Sequence, residues 1–504
     1  MNWKVIGRSL KEKDMQKRIF AVLGILVIYR ILAHIPVPIS DPHTLQQVLS
    51  NIINSSNNAQ FLSFLNVLSG GAIANFSIMI AGLGPYINAS IIMQLLTKAI
   101  PKLEAMHKEG EYGQKRINQY TRILTFPLAI IQSIGAVYLI RQTAQSFGGV
   151  GDITASASLG QWVLMVAALT GGSMLLMWLG ELVTEQSLGN GISLLITVGI
   201  VASLPATVAS IGGQIFAEGS KFNILGHSLP INGSALGLAL IILAAILVVT
   251  FLVVKLNEAA RKITVNYAKR VQGNRAYGGV TTILPVKLIT AGVVPIIFAV
   301  AFMSVPTFLG QIFATSSSTR LQNIGTLLNA WFQPPTSAQA FADGGWHSFV
   351  YPAVYFLLVF VFTYFYTSIT FNSKEIAENL HKQGGFIEGV RSGSQTEKYL
   401  AKIVSRLTFF GALSLGLLAI LPIVAQMFVS ASIAIGGTSI LILVSVALQT
   451  LRAVESRALM VTYDQYTRAD FFYEPETAVE AATGATRLKM RNPFRRNDKD
   501  GTSE

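Results

Sequence analysis

The run from Phe61 to Ile100, FLSFLNVLSGGAIANFSIMIAGLGPYINASIIMQLLTKAI, constrains the fold more than any other stretch of the chain. As one helix rising 1.5 Å per residue it would be nearly twice as long as a hydrocarbon core of about 30 Å is thick. A single span cannot hold it. Gly70-Gly71 and the polar Asn75 divide it into a short apolar piece, Phe61 to Asn75, and a span-length piece, Phe76 to Ile100. About a dozen apolar residues are too few to cross, and non-helical backbone survives at membrane depth only where protein or a water-filled cavity covers it. The division predicts a membrane channel whose lumen is partly filled by its own short segment.

Composition agrees with a polytopic membrane protein: 51% of the 504 residues are hydrophobic, only 12% are charged, and mean hydropathy is +0.52. That length leaves room for roughly ten spans. Cysteine is absent, which excludes disulfides and thiolate chemistry. Lys4, Arg8, Lys11, Lys13, Lys17 and Arg18 precede a first span that begins at Ile19 and stops near Pro36-Val37-Pro38. No small-residue cleavage site follows, so the segment reads as a retained span with its amino end in the cytosol. The later spans read as Phe76–Ile100, Ile117–Ile140, Leu159–Val183, Leu188–Ile211, Ala235–Lys255, Pro285–Phe308, Phe349–Phe371, Ile403–Met427 and Ala431–Leu451. The tail beyond Glu455 reads as solvated and partly disordered.

The net charge of +13 could suggest nucleic acid, but the placement of the charges argues otherwise. Of the 38 Lys and Arg residues only Arg30, Arg141, Lys221 and Arg320 fall on the outer side of these spans. Basic residues concentrated at the inner ends and in the longer inner loops are what insertion requires, and they place both termini in the cytosol. The order of segments reads as a cytosolic amino terminus (1–18), a first five-helix half (19–212), an external loop (213–233), a second half (234–454) with cytosolic loops 256–285 and 372–402, and a cytosolic tail (455–504). An odd number of spans per half makes the halves inverted if they are repeats. No strong self-similarity is visible to support the repeat.

Chemical motifs are missing. The six histidines show no metal-ligand spacing, and there is no phosphate loop, HExxH or GxSxG. GLGPYI at Gly82 lacks the third glycine of a dinucleotide loop and follows no strand. The span centres carry no ionisable residue, which counts against an ion-coupled transporter. Glu181 and Glu185 lie at the inner end of the fourth span, where a structural helix-end role takes precedence over proton relay, and Arg30 can snorkel. A secondary transporter and an intramembrane enzyme are the rival classes, and both lack the residues they need. An uncharged lumen suits a conduit sealed by branched aliphatic side chains, which exclude water by dewetting. Leu83 with Ile87, and Ile192 with Ile196, are i, i+4 pairs that each line one helix face.

Several long segments, in order, resemble the SecY family, the channel-forming subunits of the Sec protein translocase. They are SGGAIANFSI at Ser69, GPYINASIIMQLL at Gly84, EGEYGQKRINQYTR at Glu109, MWLGELVTEQSLGNGISLLI at Met177 and RKITVNYAKR at Arg261. LPVKLITAGVVPIIFA at Leu284, FYTSITFNSKEIAENLHKQGGFIEGVRSGSQTEKYL at Phe365 and IGGTSILILVSV at Ile435 complete the set. The resemblance implies an all-α polytopic membrane protein, with ten transmembrane helices in two inverted five-helix halves around a central pore with a re-entrant plug. It implies a protein-conducting channel rather than an enzyme, with no cofactor and no metal.

Position by position, the resemblance puts the pore ring at Leu83, Ile87, Ile192, Ile196, Ile297 and Ile442, where Leu83 replaces an isoleucine common in the family. The plug (64–75) takes in Phe64, Leu65, Asn66, Ser69, Gly70, Gly71, Ala72 and Asn75. The lateral gate, between spans two and three and spans seven and eight, includes Gln94, Pro127, Thr290 and Pro295, the two prolines interrupting their spans. Lys262, Arg275 and Arg391 would meet the motor ATPase SecA or the ribosome, and Asn274 stands where relatives often carry arginine. SecE and SecG subunits, signal-sequence-bearing polypeptides and membrane lipids are the other implied partners. The implied location is the bacterial plasma (inner) membrane.

Overall fold

The computed structural model describes residues 13–37, 77–146, 159–216, 222–224, 227–229, 233–267, 270–272, 275–277, 281–314, 318–332, 349–425 and 436–467. The chain divides into a large unit, 13–454, and a second made of residues 1–12 and 455–504. Ten helices of 16 residues or more occupy the places of the ten predicted spans: α1 (Lys13–Leu32), α2 (Gly84–Ala99), α4 (Glu111–Ser146), α5 (Leu159–Glu185), α6 (Gly191–Ile215), α7 (Gly233–Glu258), α8 (Val294–Ala314), α10 (Val350–Thr370), α12 (Ser394–Ala425) and α13 (Gly436–Thr467). Among the described residues, five helices are by themselves long and apolar enough to cross a membrane, and Gly191–Pro205 and Val294–Thr307 are shorter apolar helices. Large apolar side chains such as Phe20, Val27, Ile123, Leu159, Leu243 and Leu357 are exposed on them, as lipid-facing helices require.

The helices begin where local chemistry starts them. Asn190 caps α6, its Oδ1 accepting from the amides of Ile192 and Ser193 at 3.0 and 3.3 Å. In the short helix α11 (Ser373–Lys382), Asn372 accepts from the Glu375 amide at 3.4 Å while the Glu375 carboxylate accepts from Asn372 Nδ2, a reciprocal cap.

Several expected loops are instead ordered. The basic stretch Lys98–Arg122 holds helix α3 (Pro101–Lys108) and the first turns of α4. Glu104–Lys108 and Glu111–Lys115 pairs, each 2.9 Å, support these turns with the acid on the amino-terminal side. The hydrogen bond from each lysine holds its carboxyl below the usual range. On the other side, residues 319–332 form α9 (Thr319–Phe332), which contains Trp331, and Phe222–Ile224 (β1) pairs antiparallel with His227–Leu229 (β2). The last helix runs on to Thr467, past the point where the tail was expected to lose structure.

The two inner loops of the second half are one structure. β3 (Ala260–Tyr267) lies between β6 (Thr281–Lys287) and β7 (Gly385–Ile387) in an antiparallel sheet of order β6-β3-β7, with Ile263 opposite Leu284 and Val265 opposite Ile387. A small hairpin, β4 (Arg270–Gln272) with β5 (Arg275–Tyr277), extends from it in sequence. Ile263, Val265, Val286 and Ile387 pack with Leu400, Ile403 and Val404 of α12 as a separate apolar core. The alternation of Ile263 and Val265 with exposed Lys262 and Thr264 is the period of a half-buried strand. This sheet also corrects the seventh span. Expected from Pro285, it starts as a helix only at Val294, because residues 281–287 are committed to the ladder with β3.

Among the first five long helices, α2 packs on α4 and α5, α4 on α5, α5 on α6, and α1 on α5 and α6. In the second five, α8 packs on α10, and α12 packs on α7 and α10. The two sets meet along two seams, α6 against α7, and α8 against α2 and α4.

Candidate functional site

Helix α2 has 16 residues, about 24 Å, which falls short of a hydrocarbon core of about 30 Å. The missing depth is covered by irregular backbone, Ser77 to Leu83, whose polar groups are met by protein. The Ile78 amide donates to the Ile35 carbonyl at 3.0 Å, Ser77 Oγ donates to the Leu32 carbonyl at 3.0 Å and accepts from the Met79 amide at 3.1 Å. Ser173 Oγ on α5 donates to the Gly82 carbonyl at 3.0 Å. Gly82 has φ +58°, a conformation costly for any residue with a Cβ, and Pro85 follows in the first turn of the helix. Gly172 of α5 lets this turn approach: a Cβ there would overlap the Ile78 carbonyl, lying 2.8 Å from its carbon.

The second half repeats the device. Gly292 has φ +62°, Pro295 sits in the first turn of α8, and Gly411 of α12 faces the carbonyl of Leu288, whose carbon a Cβ would meet at 3.2 Å. Gly82, Pro85 and Ile87 recur at the same spacing as Gly292, Pro295 and Ile297. This is the repeat that no overall self-similarity revealed. Its signal is GLGPYI against GVVPII, six residues whose meaning is conformational: a left-handed glycine, a helix-starting proline and a branched side chain one residue past the proline's neighbour.

The six ring positions all fall in or against one large apolar cluster. Leu83, Ile87, Ile196, Ile297 and Ile442 are buried members of a single apolar cluster, and Ile192 packs against it. Ile87 lies a turn beyond Leu83, its amide donating to the Leu83 carbonyl at 3.0 Å. Ile192 and Ile196 occupy the first turns of α6, seated against α5 because Gly191 and Gly180 have no side chains to separate the helices. The same cluster includes packing residues such as Leu179 and Val359. Among the described residues no Asp, Glu, Lys, Arg or His is buried. Glu181 of α5 makes a two-point ion pair with Arg122 of α4, at 2.6 and 2.9 Å, which ties the two helices together. No group of three or more His, Asp or Glu able to hold a metal occurs among the described residues.

The two polar gate positions, Gln94 and Thr290, do not bond to each other. Gln94 Nε2 donates to Ser90 Oγ of its own helix at 3.1 Å, and Thr290 Oγ1 donates to the Lys287 carbonyl at 3.1 Å. Gln94 Oε1 is buried with no partner. Pro127 is exposed within an unbroken α4, and Pro295 stands at a helix start, so neither interrupts its helix as expected: a first-turn proline loses no intrahelical bond. On its other side α8 is fastened to α10 by edge-to-face contacts of Phe362 with Phe298 and Phe302, at 6.0 and 6.1 Å. Gln94 of α2, by contrast, carries an unmet polar atom. Gln94→Leu removes the buried acceptor, worth about 1–3 kcal/mol when unsatisfied. Slower separation of α2 from α8, read by the rate of disulfide trapping between cysteines placed across the seam, is the expected result.

Lys262 is exposed on β3 and Arg391 is exposed beyond β7, so the sheet carries both on one body. The Arg391 carbonyl accepts from Thr396 Oγ1 at 3.0 Å, which fixes the turn into α12. Arg275 lies in β5; its side chain, Asn274 and all the plug positions (Phe64, Leu65, Asn66, Ser69, Gly70, Gly71, Ala72 and Asn75) lie outside the described residues.

Comparison with known proteins is consistent across three kinds of match. The SecY family model matches residues 77–451. Protein translocase subunit SecY of Corynebacterium glutamicum is 39% identical over 464 residues, covering 91% of this chain and 98% of the relative. The subunit of the same name from Streptomyces galbus is 37% identical, covering 92% and 99%. Among solved structures, one described as a protein-conducting channel superposes with a TM-score of 0.57 at 18% identity, covering 86% of this chain and 91% of that one. Sec61 in the canine ribosome-channel complex gives 0.51 at 16% identity, covering 87% and 91%. These two likenesses concern the fold.

Proposed function

Because the chain belongs to the SecY family, we propose that it works as the protein-conducting channel of a translocase. Unfolded secretory polypeptides pass through the bundle, and sufficiently apolar segments leave sideways into lipid. The protein is multi-pass and performs no covalent chemistry. Leu83, Ile87, Ile192, Ile196, Ile297 and Ile442 form the constriction, closing it by dewetting and yielding to a chain pushed through. The plug, 64–75, rests against them, and α8 with α10 swings away from α2 and α4 to open the gate. What carries this reading is the repeated entry turn, which delivers Ile87 and Ile297 from opposite halves into one buried aliphatic cluster with no buried charge beside it.

The β6-β3-β7 sheet is the docking face for SecA or the ribosome, with Lys262, Arg275 and Arg391 as its cations; arginine suits phosphate and carboxylate partners alike. SecE and SecG complete the complex in the bacterial inner membrane, with both termini cytosolic, as the distribution of basic residues requires. Reconstitution with the motor, ATP and a secretory precursor tests the whole: precursor should become protease-protected inside vesicles, and uptake of a small solute without precursor movement would defeat the reading. Arg391→Glu inverts a charge that is exposed and leaves the Thr396 bond to the main chain intact. Export slowed roughly tenfold with unchanged membrane insertion is expected, about 1.4 kcal/mol of lost docking energy.

A further inference from the structure

A cavity of about 210 Å³ lies among the ends of α6, α7, α8 and α10 and the middle of α13, beside the last residue of β6. Its polar wall includes Asn190, Asn257, Lys287, Ser445, Gln449 and Arg452 beside the hydroxyls of Thr290, Tyr366 and Thr370, and no Asp, Glu or His lines it. Two cations facing one shared, partly open space disfavour each other's charge. Lys287, the exposed last residue of β6 and so outside the spans, shows this: partial desolvation first, and the neighbouring Arg452 second, push its ammonium below the usual range.

The fold nevertheless holds Arg452 in place. Arg452 Nη2 donates to the Asn257 main-chain carbonyl at 3.0 Å, and Asn257 Nδ2 donates to the Val253 carbonyl and to Ser445 Oγ at 3.0 and 3.1 Å. Asn190 spends its Oδ1 on the α6 cap and keeps its NH2 group, and Arg452 keeps the rest of its guanidinium N–H groups. The Lys287 ammonium has no ion-pair partner among the described residues.

We propose that this cavity is a binding site for an oxyanion of the phosphate class, carried by inorganic phosphate or by an anionic lipid headgroup. An ammonium and a guanidinium fork supply charge-assisted bonds to such a group, which also relieves their mutual repulsion. The volume equals that of about seven waters at roughly 30 Å³ each, enough for a phosphate with its ester arm. The inference does not depend on what the channel transports.

The test uses the full chain purified in maltoside micelles, which contain no phosphate, titrated with inorganic phosphate at ionic strength held constant with chloride. Phosphate should raise the thermal midpoint saturably and broaden its own ³¹P resonance. Lys287→Met should weaken this binding at least tenfold and Lys287→Arg should restore it, while Lys98→Met, outside the cavity, should leave it unchanged. Arg452→Lys, which keeps the charge and loses the fork, gives a second variant with weakened binding if methionine at 287 prevents folding. In nanodiscs with phosphatidylglycerol, loss of the response to added phosphate identifies the lipid headgroup as the occupant, and its persistence identifies free phosphate. Absence of saturable binding in micelles, equal binding by all variants, or saturation by a glutamate-rich peptide but not by phosphate overturns the proposal.

Discussion

Valine at Gly172 or at Gly411 is expected to abolish assembly of the bundle. Each glycine faces main chain, the Ile78 and Leu288 carbonyls respectively, and a Cβ would fall inside contact distance of atoms that cannot rotate away. Overpacking against a yielding side chain costs about 1–3 kcal/mol. Here the turn itself must move, so the cost is at the upper end or beyond. Displacing Ile78 also strains the Ile78–Ile35 and Ser77–Leu32 hydrogen bonds that satisfy the irregular backbone ahead of α2. The measurement is the yield of monodisperse protein from membranes together with its thermal midpoint. Gly24→Ala is the control: nothing lies within 4 Å of a Cβ there, and alanine in mid-helix is favoured over glycine by up to about 1 kcal/mol. Normal yield from both valine variants would mean that the two turns are not seated as described.

Asparagine at Ile297 is expected to make the resting channel leak. Ile297 is buried in the shared aliphatic cluster, and an unpaired carboxamide placed there costs about 1–3 kcal/mol, which shifts the balance of closed and open states roughly ten- to a hundredfold. Single-channel conductance in planar bilayers without precursor should show frequent openings. Export assays should show acceptance of precursors with defective signal sequences. Ile297→Leu, which keeps volume and apolarity, should stay sealed, since such exchanges usually cost less than about 1.5 kcal/mol. Unaltered leak and unaltered selection in Ile297→Asn would remove this residue from the constriction. Ile87→Asn should match it, because the two occupy equivalent places after their turns.

Much of the architecture could be read without coordinates. Hydrophobic runs mark all ten long helices and about half of their ends to within a turn, since the bilayer demands continuous apolar length and imposes it on the sequence directly. Two of the misplaced starts share a cause. At Ser77–Leu83 and at 288–293 the chain stays apolar while leaving the helix, so hydropathy extends the span across a turn that only glycine conformation and neighbouring backbone explain. The strand β3 carries a plain alternating pattern in ITV, yet its partner β7 lies more than a hundred residues on, and nothing local announces that pairing.

The candidate site divides the same way. Branched aliphatics at i, i+4 spacing single out Leu83 with Ile87 and Ile192 with Ile196 as helix faces, but membrane helices offer many such faces. Selecting these required a resemblance, and bringing Ile297 and Ile442 to them required the packed helices. The pair Lys287 and Arg452 was invisible in advance, because one ends a strand and the other lies deep in the final helix.

The amino-acid sequence alone determined that this protein lives in a membrane, how many times it crosses and which loops carry its charge, because transfer into hydrocarbon is priced residue by residue. Tertiary structure decided where the crossings break, which greasy faces meet, and that two distant basic loops are one sheet. Those outcomes depend on backbone groups finding partners across long separations, and no local pattern encodes a partner's address.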